Sequence, residues 1–531
     1  MRNFFTKLSV LGVLSLSLVS CEDMLDIPQR GVLSLDTYYQ TDEQATAAVM
    51  QCYYYWQYCF TSNYNMYNGL SDDCYGGGGG RGENANVNEY QFTNTFAGTF
   101  QKDYRLIYYA NLVLENVTGD SAEMQRCRAE AHFFRAWAYL DLVMLYGTPP
   151  LVKTTLTDPN NYAQPNGNTA EIWAFIEEEF NAAINAGVLP SKKSKSDVIV
   201  RLTKEAAQSY LGKAYLFQRK YGEAAAVLKK VIDANLYELG DISNFDNMGH
   251  VAGNDSPEYI FATRGYNDDT VNLNCIYGIP PYFAGGWRYQ DAFAVNMGST
   301  YSNLYAAGYG YLQGVRKGLW DEFEEGDLRR PYTAISFEEG QAQLGLRMIN
   351  ETASASGVEG YLRTKHEYKF ADNLPMGSMA GWYEWYAFGN KGNLPEMRLA
   401  NVYLMYAEAC IQNGSSDGNK YIDAVRARAG LGTPPLGYTM DEIIHERRVE
   451  LAMEECRYLD LLRWGLCEKY LGNQGESYPM FFGLDANGSY KIEWRGPLGT
   501  TYGWKKGKHE LFPFPQTELN VNDLLEQNPG W

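Results

Sequence analysis

The sequence has little of what most often builds metal and redox sites. Only five histidines occur in 531 residues, and no two stand at metal-binding spacing. Nine cysteines occur, with no Cys-x-x-Cys pair and no Cys/His cluster at zinc spacing, so neither a metal nor another cofactor is expected. Positive charge is also scarce: 45 Lys and Arg face 64 Asp and Glu, a formal charge of −19. So acidic a chain is a poor partner for nucleic acid, because phosphate binding relies on Lys and Arg. The glycine run 76–80 is not followed by Gly-Lys-Ser/Thr, which excludes a phosphate-cradling loop. Permissive backbone in an exposed loop is the simpler reading of that run. Beyond the first twenty residues no stretch reads as a membrane span.

Those twenty residues have a character of their own. Arg2 and Lys7 form a positive start, and residues 8–19 are apolar apart from serines and one glycine. The run is too short for a stable span and has the form of a secretory signal. Its end, Leu18-Val19-Ser20-Cys21, resembles the lipobox of bacterial lipoproteins. That resemblance implies cleavage before Cys21 and lipid on its thiol, with more than one acyl chain needed for firm anchoring. Residues 1–20 are therefore expected to be a signal peptide and residues 21–40 a lipidated tether containing Pro28 and Gly31. Of the other eight cysteines, Cys59 and Cys74 could form a disulfide, since export permits oxidation. Cys410 and Cys456 sit in helical patterns and read as buried thiols.

Helical periodicity predicts helices over about 41–59, 100–117, 122–146 and 169–187. Residues 60–100 read as loop. The clearest unit is 203–234, where small Gly212 and Ala224 let two antiparallel helices approach while Leu211, Tyr215, Tyr221, Leu228 and Val231 fill the seam. That is the tetratricopeptide pattern. Weaker echoes are Ala138-Tyr139 and Tyr406-Ala407-Glu408-Ala409. Such pairs must stack to bury their faces. The expected fold is mostly α, with about four tetratricopeptide-like helix pairs and a large irregular, loop-rich insertion. By range, 41–235 is the N-terminal helical part, 236–395 the loop-rich part with short strands such as Tyr259 to Thr263, and 396–531 the C-terminal helices with an irregular, Pro-rich tail. One amphipathic helix is predicted over 440–464. Its pairs Arg447–Glu450, Glu454–Arg457 and Asp460–Arg463 suit i,i+3 salt bridges. His445-Glu446 is half of a metalloprotease motif, but Val449 stands where the second histidine would be, and a structural network is the stronger reading.

Several passages resemble one family. Glu446-Arg447-Arg448-Val449-Glu450-Leu451, followed by Glu455, Arg457, Asp460, Leu461, Arg463, Trp464 and Gly465, looks like the late helix of SusD-like (RagB/SusD) proteins. Leu511-Phe512-Pro513-Phe514-Pro515-Gln516 and Gln527-Asn528-Pro529-Gly530-Trp531 resemble that family's ending. Gly326-Asp327-Leu328-Arg329-Arg330, the stretch 398–409 and the acidic residues after Cys21 fit as well. The resemblance implies a lipid-anchored protein of the outer membrane facing the exterior. It implies that the chain binds oligo- or polysaccharide without cleaving it and delivers it to a SusC-like TonB-dependent porin. Some members bind peptides instead, and a lipid-anchored glycoside hydrolase is a further alternative, although no motif points to a carboxylate pair. A protein-only scaffold of helix pairs is the third.

Sugar recognition needs flat apolar faces for C–H surfaces and polar groups for hydroxyls. Tyrosine supplies both, and the chain has 43 of them, many expected in interhelical seams. Two loop regions are the candidate site. The first holds Tyr64, Tyr67, Asp72, Asp73, Tyr75, Arg81 and Asn84, and the second Trp287, Arg288, Tyr289, Tyr301, Tyr305 and Tyr309. A third aromatic cluster, Trp382, Tyr383, Trp385 and Tyr386, ranks below them. No catalytic residue is assigned.

Overall fold

A computed structural model describes residues 38–75, 90–91, 97–263, 293–294, 314–344, 346–348, 351–352, 354–366, 392–497 and 500–531. Helix α1 (Asp42–Leu70) starts where the Thr41 hydroxyl accepts the Gln44 backbone N–H and the Gln44 side chain accepts the Thr41 N–H at 3.1 Å. Two orphan donors of the first turn are thereby satisfied. The sequence reading ended this helix at 59. It continues to Leu70 because Phe60, Tyr64, Tyr67 and Leu70 recur at helical spacing and are all buried, so packing overrides the loop-like composition.

Helices α2 (Ala97–Asn116), α3 (Ala122–Tyr146), α4 (Thr169–Asn185), α5 (Lys204–Phe217) and α6 (Tyr221–Asp233) follow. Ser121, Asn168 and Thr203 cap α3, α4 and α5 through their side chains, each satisfying a first-turn N–H. Gly147 ends α3 with φ +70°, a conformation that costs glycine little. Each helix packs on the next, and the pair α7 (Leu399–Gln412) and α8 (Asn419–Arg428) joins the stack where α7 meets α6. The four expected helix pairs are α1/α2, α3/α4, α5/α6 and α7/α8.

The other described segments add short strands: β1 (Tyr259–Ala262), β2 (Ala334–Ser336), β3 (Ala355–Ser356), β4 (Tyr361–Arg363), β5 (Pro395–Arg398), β6 (Tyr478–Leu484) and β7 (Tyr490–Arg495). Strand β1 pairs with β5, β2 with β4, and β3, β6 and β7 form one small antiparallel sheet. Three expectations are corrected here. The single helix over 440–464 is two helices, α9 (Met440–Glu450) and α10 (Cys456–Trp464), separated by a turn in which Met453 and Glu455 have φ of 61° and 66°. The tail contains the β6–β7 hairpin. Cys59 and Cys74 are separate buried thiols rather than a disulfide, and Cys74 Sγ donates to the Asn68 carbonyl at 2.9 Å.

The main core is aromatic. Trp56 packs on Phe261 with centroids 4.3 Å apart, and Tyr53 meets Phe134 edge-on at 4.5 Å. Partly buried Glu396 on β5 reaches this core and accepts the indole N–H groups of Trp56 and Trp137, each at 2.8 Å. Burial still pushes its carboxyl pKa up. The strand β1–β5 is thereby pinned to the helical stack.

Gly212 on α5 is where α6 comes nearest. A Cβ there would lie 2.5 Å from Leu228 Cδ2 and 2.6 Å from its Cγ, whereas one on Gly222 would meet nothing within 4 Å. Overpacking a filled seam costs about 1–3 kcal/mol, more than the ~1 kcal/mol by which alanine favours a helix over glycine. Gly212→Ala is expected to lower the thermal midpoint and Gly222→Ala to raise it slightly. Equal shifts in a thermal scan would contradict the close approach.

Candidate functional site

The two candidate loop regions share a stem. Tyr75, the last described residue before 76–89, donates its backbone N–H to the Gly314 carbonyl at 2.8 Å, and Cys74 bridges Val315. Gly314 in turn is the first described residue after 295–313. Residues more than two hundred apart in sequence therefore meet where both loop segments attach. A second stem joins Thr263 to Leu394, with a backbone N–H···O bond of 2.9 Å, where 264–292 departs and the segment ending at 391 returns.

Of the sequence-derived candidates, five lie at or below the first stem, and all five are engaged inside the protein. Tyr64 is buried; Arg363 donates to its hydroxyl at 2.6 Å, leaving the hydroxyl proton for Nδ1 of His366 at 2.8 Å. That ring is held neutral, its pKa pushed well down by burial and by the cations Lys365 and Arg363. Tyr67 donates to Asp141 at 2.5 Å, and burial together with that carboxylate raises its pKa far above the usual range. Asp72 takes Arg457 at 2.7 Å and Arg448 at 3.0 Å, and Asp73 takes Arg448 at 2.9 Å. Burial opposes the charge on Asp72, yet the two arginines hold its carboxyl below the ordinary value. Asp73 is pushed up instead, first by burial and then by Asp72. Tyr75 has Arg316 over its ring at 3.9 Å and is raised by burial. Engaged in these internal contacts, the five side chains hold the stem. Cys21, Arg81, Asn84, Trp287, Arg288, Tyr289, Tyr301, Tyr305 and Tyr309 lie outside the described residues, as do Trp382, Tyr383, Trp385 and Tyr386.

Around the stem stands an aromatic group that the sequence reading missed. Trp320 stacks on Tyr361 with centroids 4.8 Å apart, Arg330 approaches the Trp320 ring at 4.3 Å, and Tyr490 meets Tyr361 edge-on at 6.0 Å. Glu359 beside it accepts the Lys317 backbone N–H at 2.5 Å, and burial raises its carboxyl pKa. The alternating run Gly360-Tyr361-Leu362-Arg363 was a readable strand signal for part of this group.

The charged helix α9 is structural, as expected, but its partners differ. Of the three i,i+3 pairs, the structure forms Asp460–Arg463 at 2.7 Å. Arg447 instead takes Asp460 at 2.7 Å, Glu450 takes Arg329, Arg398 and Arg428, and Glu454 takes Arg398 and Lys365. Held by these arginines and lysine, the carboxylates brace the helix against its neighbours. Among the described residues no group of three or more His, Cys, Asp or Glu is placed to hold a metal ion.

Residues 307–531 match the SusD family model, and residues 31–216 match a second model described as starch-binding associating with outer membrane. The chain belongs to the SusD-like family. SusD-like protein P2 of Formosa agariphila is 27% identical over 566 aligned positions, covering 98% of each chain. A SusD-like protein of Bacteroides ovatus is 24% identical, covering 100% of this chain and 99% of its own. Among solved structures, a laminarin binding SusD-like protein superposes with TM-score 0.73 at 26% identity, covering 92% of this chain and 99% of the other. Surface glycan-binding protein A from Bacteroides thetaiotaomicron, in complex with laminarihexaose, has TM-score 0.69 at 20% identity with coverage of 92% and 100%, a likeness of fold.

The SusD-like stem rests on Arg448, whose guanidinium serves Asp72, Asp73 and Glu322 at about 3 Å. Removing one partner of a buried ionic cluster costs about 3–5 kcal/mol, because it strands the others. Arg448→Met is expected to lower stability by that order in denaturant unfolding. A loss within experimental error would show that the cluster does not hold the stem.

Proposed function

We propose that the protein is a lipid-anchored, outward-facing binder that captures oligo- or polysaccharide and passes it to a SusC-like TonB-dependent porin without cleaving it. Kinship along nearly the whole chain with a laminarin binding SusD-like protein, at 26% identity and TM-score 0.73, carries this reading. The first stem supports it, because it joins Tyr75, after which residues 76–89 begin, to Gly314, before which 295–313 end, and Arg81, Asn84, Tyr301, Tyr305 and Tyr309 belong to those stretches of sequence, with Trp287, Arg288 and Tyr289 shortly before. Aromatic faces with Arg and Asn beside them suit sugar C–H surfaces and hydroxyls. Lipid on Cys21 would keep the binder within reach of its channel.

Calorimetry of the protein lacking residues 1–21 against a glycan panel tests the ligand class. Binding to at least one glycan is expected, with no product released, and Trp287→Ala/Tyr289→Ala should weaken it at least about tenfold, the loss typical of an aromatic contact residue. Binding to peptides alone would sink the sugar reading. For the anchor, Cys21→Ala should leave affinity intact and impair uptake by cells; unchanged uptake would count against a tethered role.

A further inference from the structure

Away from the loop stems, helix α2, the connector between α3 and α4 and residues 518–525 line an open cleft of ≈ 450 Å³. The volume falls in the roughly 300–1,000 Å³ range of small-ligand clefts. Tyr104 and Tyr108 from α2 and Tyr162 from the connector line it. Tyr108 is 48% and Tyr162 56% exposed. Two large rings left half in water beside one concavity form an exposed apolar patch, and such surfaces mark binding sites.

The polar groups of the cleft are held in place. Gln101 donates to Glu518 at 3.1 Å, the Asn522 amide donates to the Gln164 carbonyl at 2.8 Å, and the Tyr104 hydroxyl donates to the Pro150 carbonyl at 2.7 Å. Three segments remote in sequence are thus tied together around the cavity, so a ligand would meet a preformed site rather than order one. One arginine, Arg105, and one carboxylate, Glu518, line it, leaving no net charge to attract an anion or a cation.

We propose that this cleft is a second saccharide site, independent of the loop residues, that takes a neutral unit of mono- or disaccharide size. Tyr108 and Tyr162 present flat faces to sugar C–H surfaces, while Gln101, Glu518 and Asn522 offer donors and acceptors to hydroxyls. The small, concave volume of ≈ 450 Å³ suits a small ligand. Such a site would hold one part of a glycan while the loops hold another, raising the effective concentration of each.

The test uses the purified full-length chain titrated with maltose, cellobiose, lactose and laminaribiose, in a Trp287→Ala/Tyr289→Ala background that removes the loop contacts. Residual binding of at least one disaccharide is expected, weakened at least about tenfold by Tyr108→Ala/Tyr162→Ala, as for other contact aromatics, and largely kept by Tyr162→Phe. Indifference of all disaccharide binding to Tyr108→Ala/Tyr162→Ala overturns the second site and leaves the loop reading standing. Absence of saccharide binding even with the loops intact overturns both. Loss of a co-purifying protein in the Tyr108→Ala/Tyr162→Ala variant, with disaccharide binding unchanged, identifies the cleft as a protein contact and also overturns it.

Discussion

The carboxylate of Glu450 ties the second half of the chain together. Three guanidinium groups converge on it: Arg329 at 3.0 Å, Arg398 at 2.5 Å and Arg428. Each brings another acid. Arg329 takes Asp327 and Glu446, Arg398 takes Glu258 and Glu454, and Arg428 takes Glu258. Lys365 completes the cluster on Glu454. Burial alone would push the Glu450 carboxyl up, and the arginines instead hold it far below the usual range. Charges this deep are costly to desolvate, and the cost is offset only when every partner is in place. Any slip of one segment would strand a charge, so the cluster permits one arrangement of segments that have little regular structure of their own.

The helical half is held by different means. Its core is mainly apolar and aromatic, and its buried polar groups form small local networks, such as Arg135 on Glu179, Arg201 on Glu130 and Glu396 between Trp56 and Trp137. Packing of this kind fixes a stack of helices but gives little direction to an irregular chain. The two regimes meet at α1. Its inward stripe belongs to the aromatic core, while Tyr64 at that same face reaches Arg363 and His366, and the residues just past its end hand Asp72 and Asp73 to Arg448 and Arg457. The loop stem sits where the rigid stack and the ionic cluster grip the same few residues, which is where a binding loop gains most from a fixed base.

The helical stack was legible because its signals are local. Apolar periodicity marks the helices within each stretch of sequence, and Gly212 announces a close approach. The misread elements depend on distance. Asn- and Tyr-rich residues 60–70 look like loop until α3 and α10 supply partners for Tyr67 through Asp141 and Tyr458. The break between α9 and α10 turns Glu454 and Arg457 toward partners dozens to hundreds of residues away, which i,i+3 spacing cannot reveal. The β6–β7 hairpin had a local signal after all: Asp485 caps the turn through the Asn487 and Ser489 N–H groups, and Gly488 takes φ +79°, the chemistry of an Asn-Gly turn. Tyr64, Tyr67, Asp72, Asp73 and Tyr75 were singled out for chemistry suited to sugar, yet the same chemistry suits a buried stem, and only their partners distinguish the two roles.

The central claim is that ligand is captured by loop segments rooted on the stem that Arg448 and the Glu450 cluster hold. Hydrogen exchange across the full chain, with and without the glycan that binds best on an array of polysaccharides, tests it most directly. The account expects slowed exchange in 76–89 and 264–313 and at their roots, 72–75 and 314–320, with the helical stack unchanged apart from the cleft beside α2. Protection confined to the helical stack, with both loop segments and their roots unaffected, would contradict it.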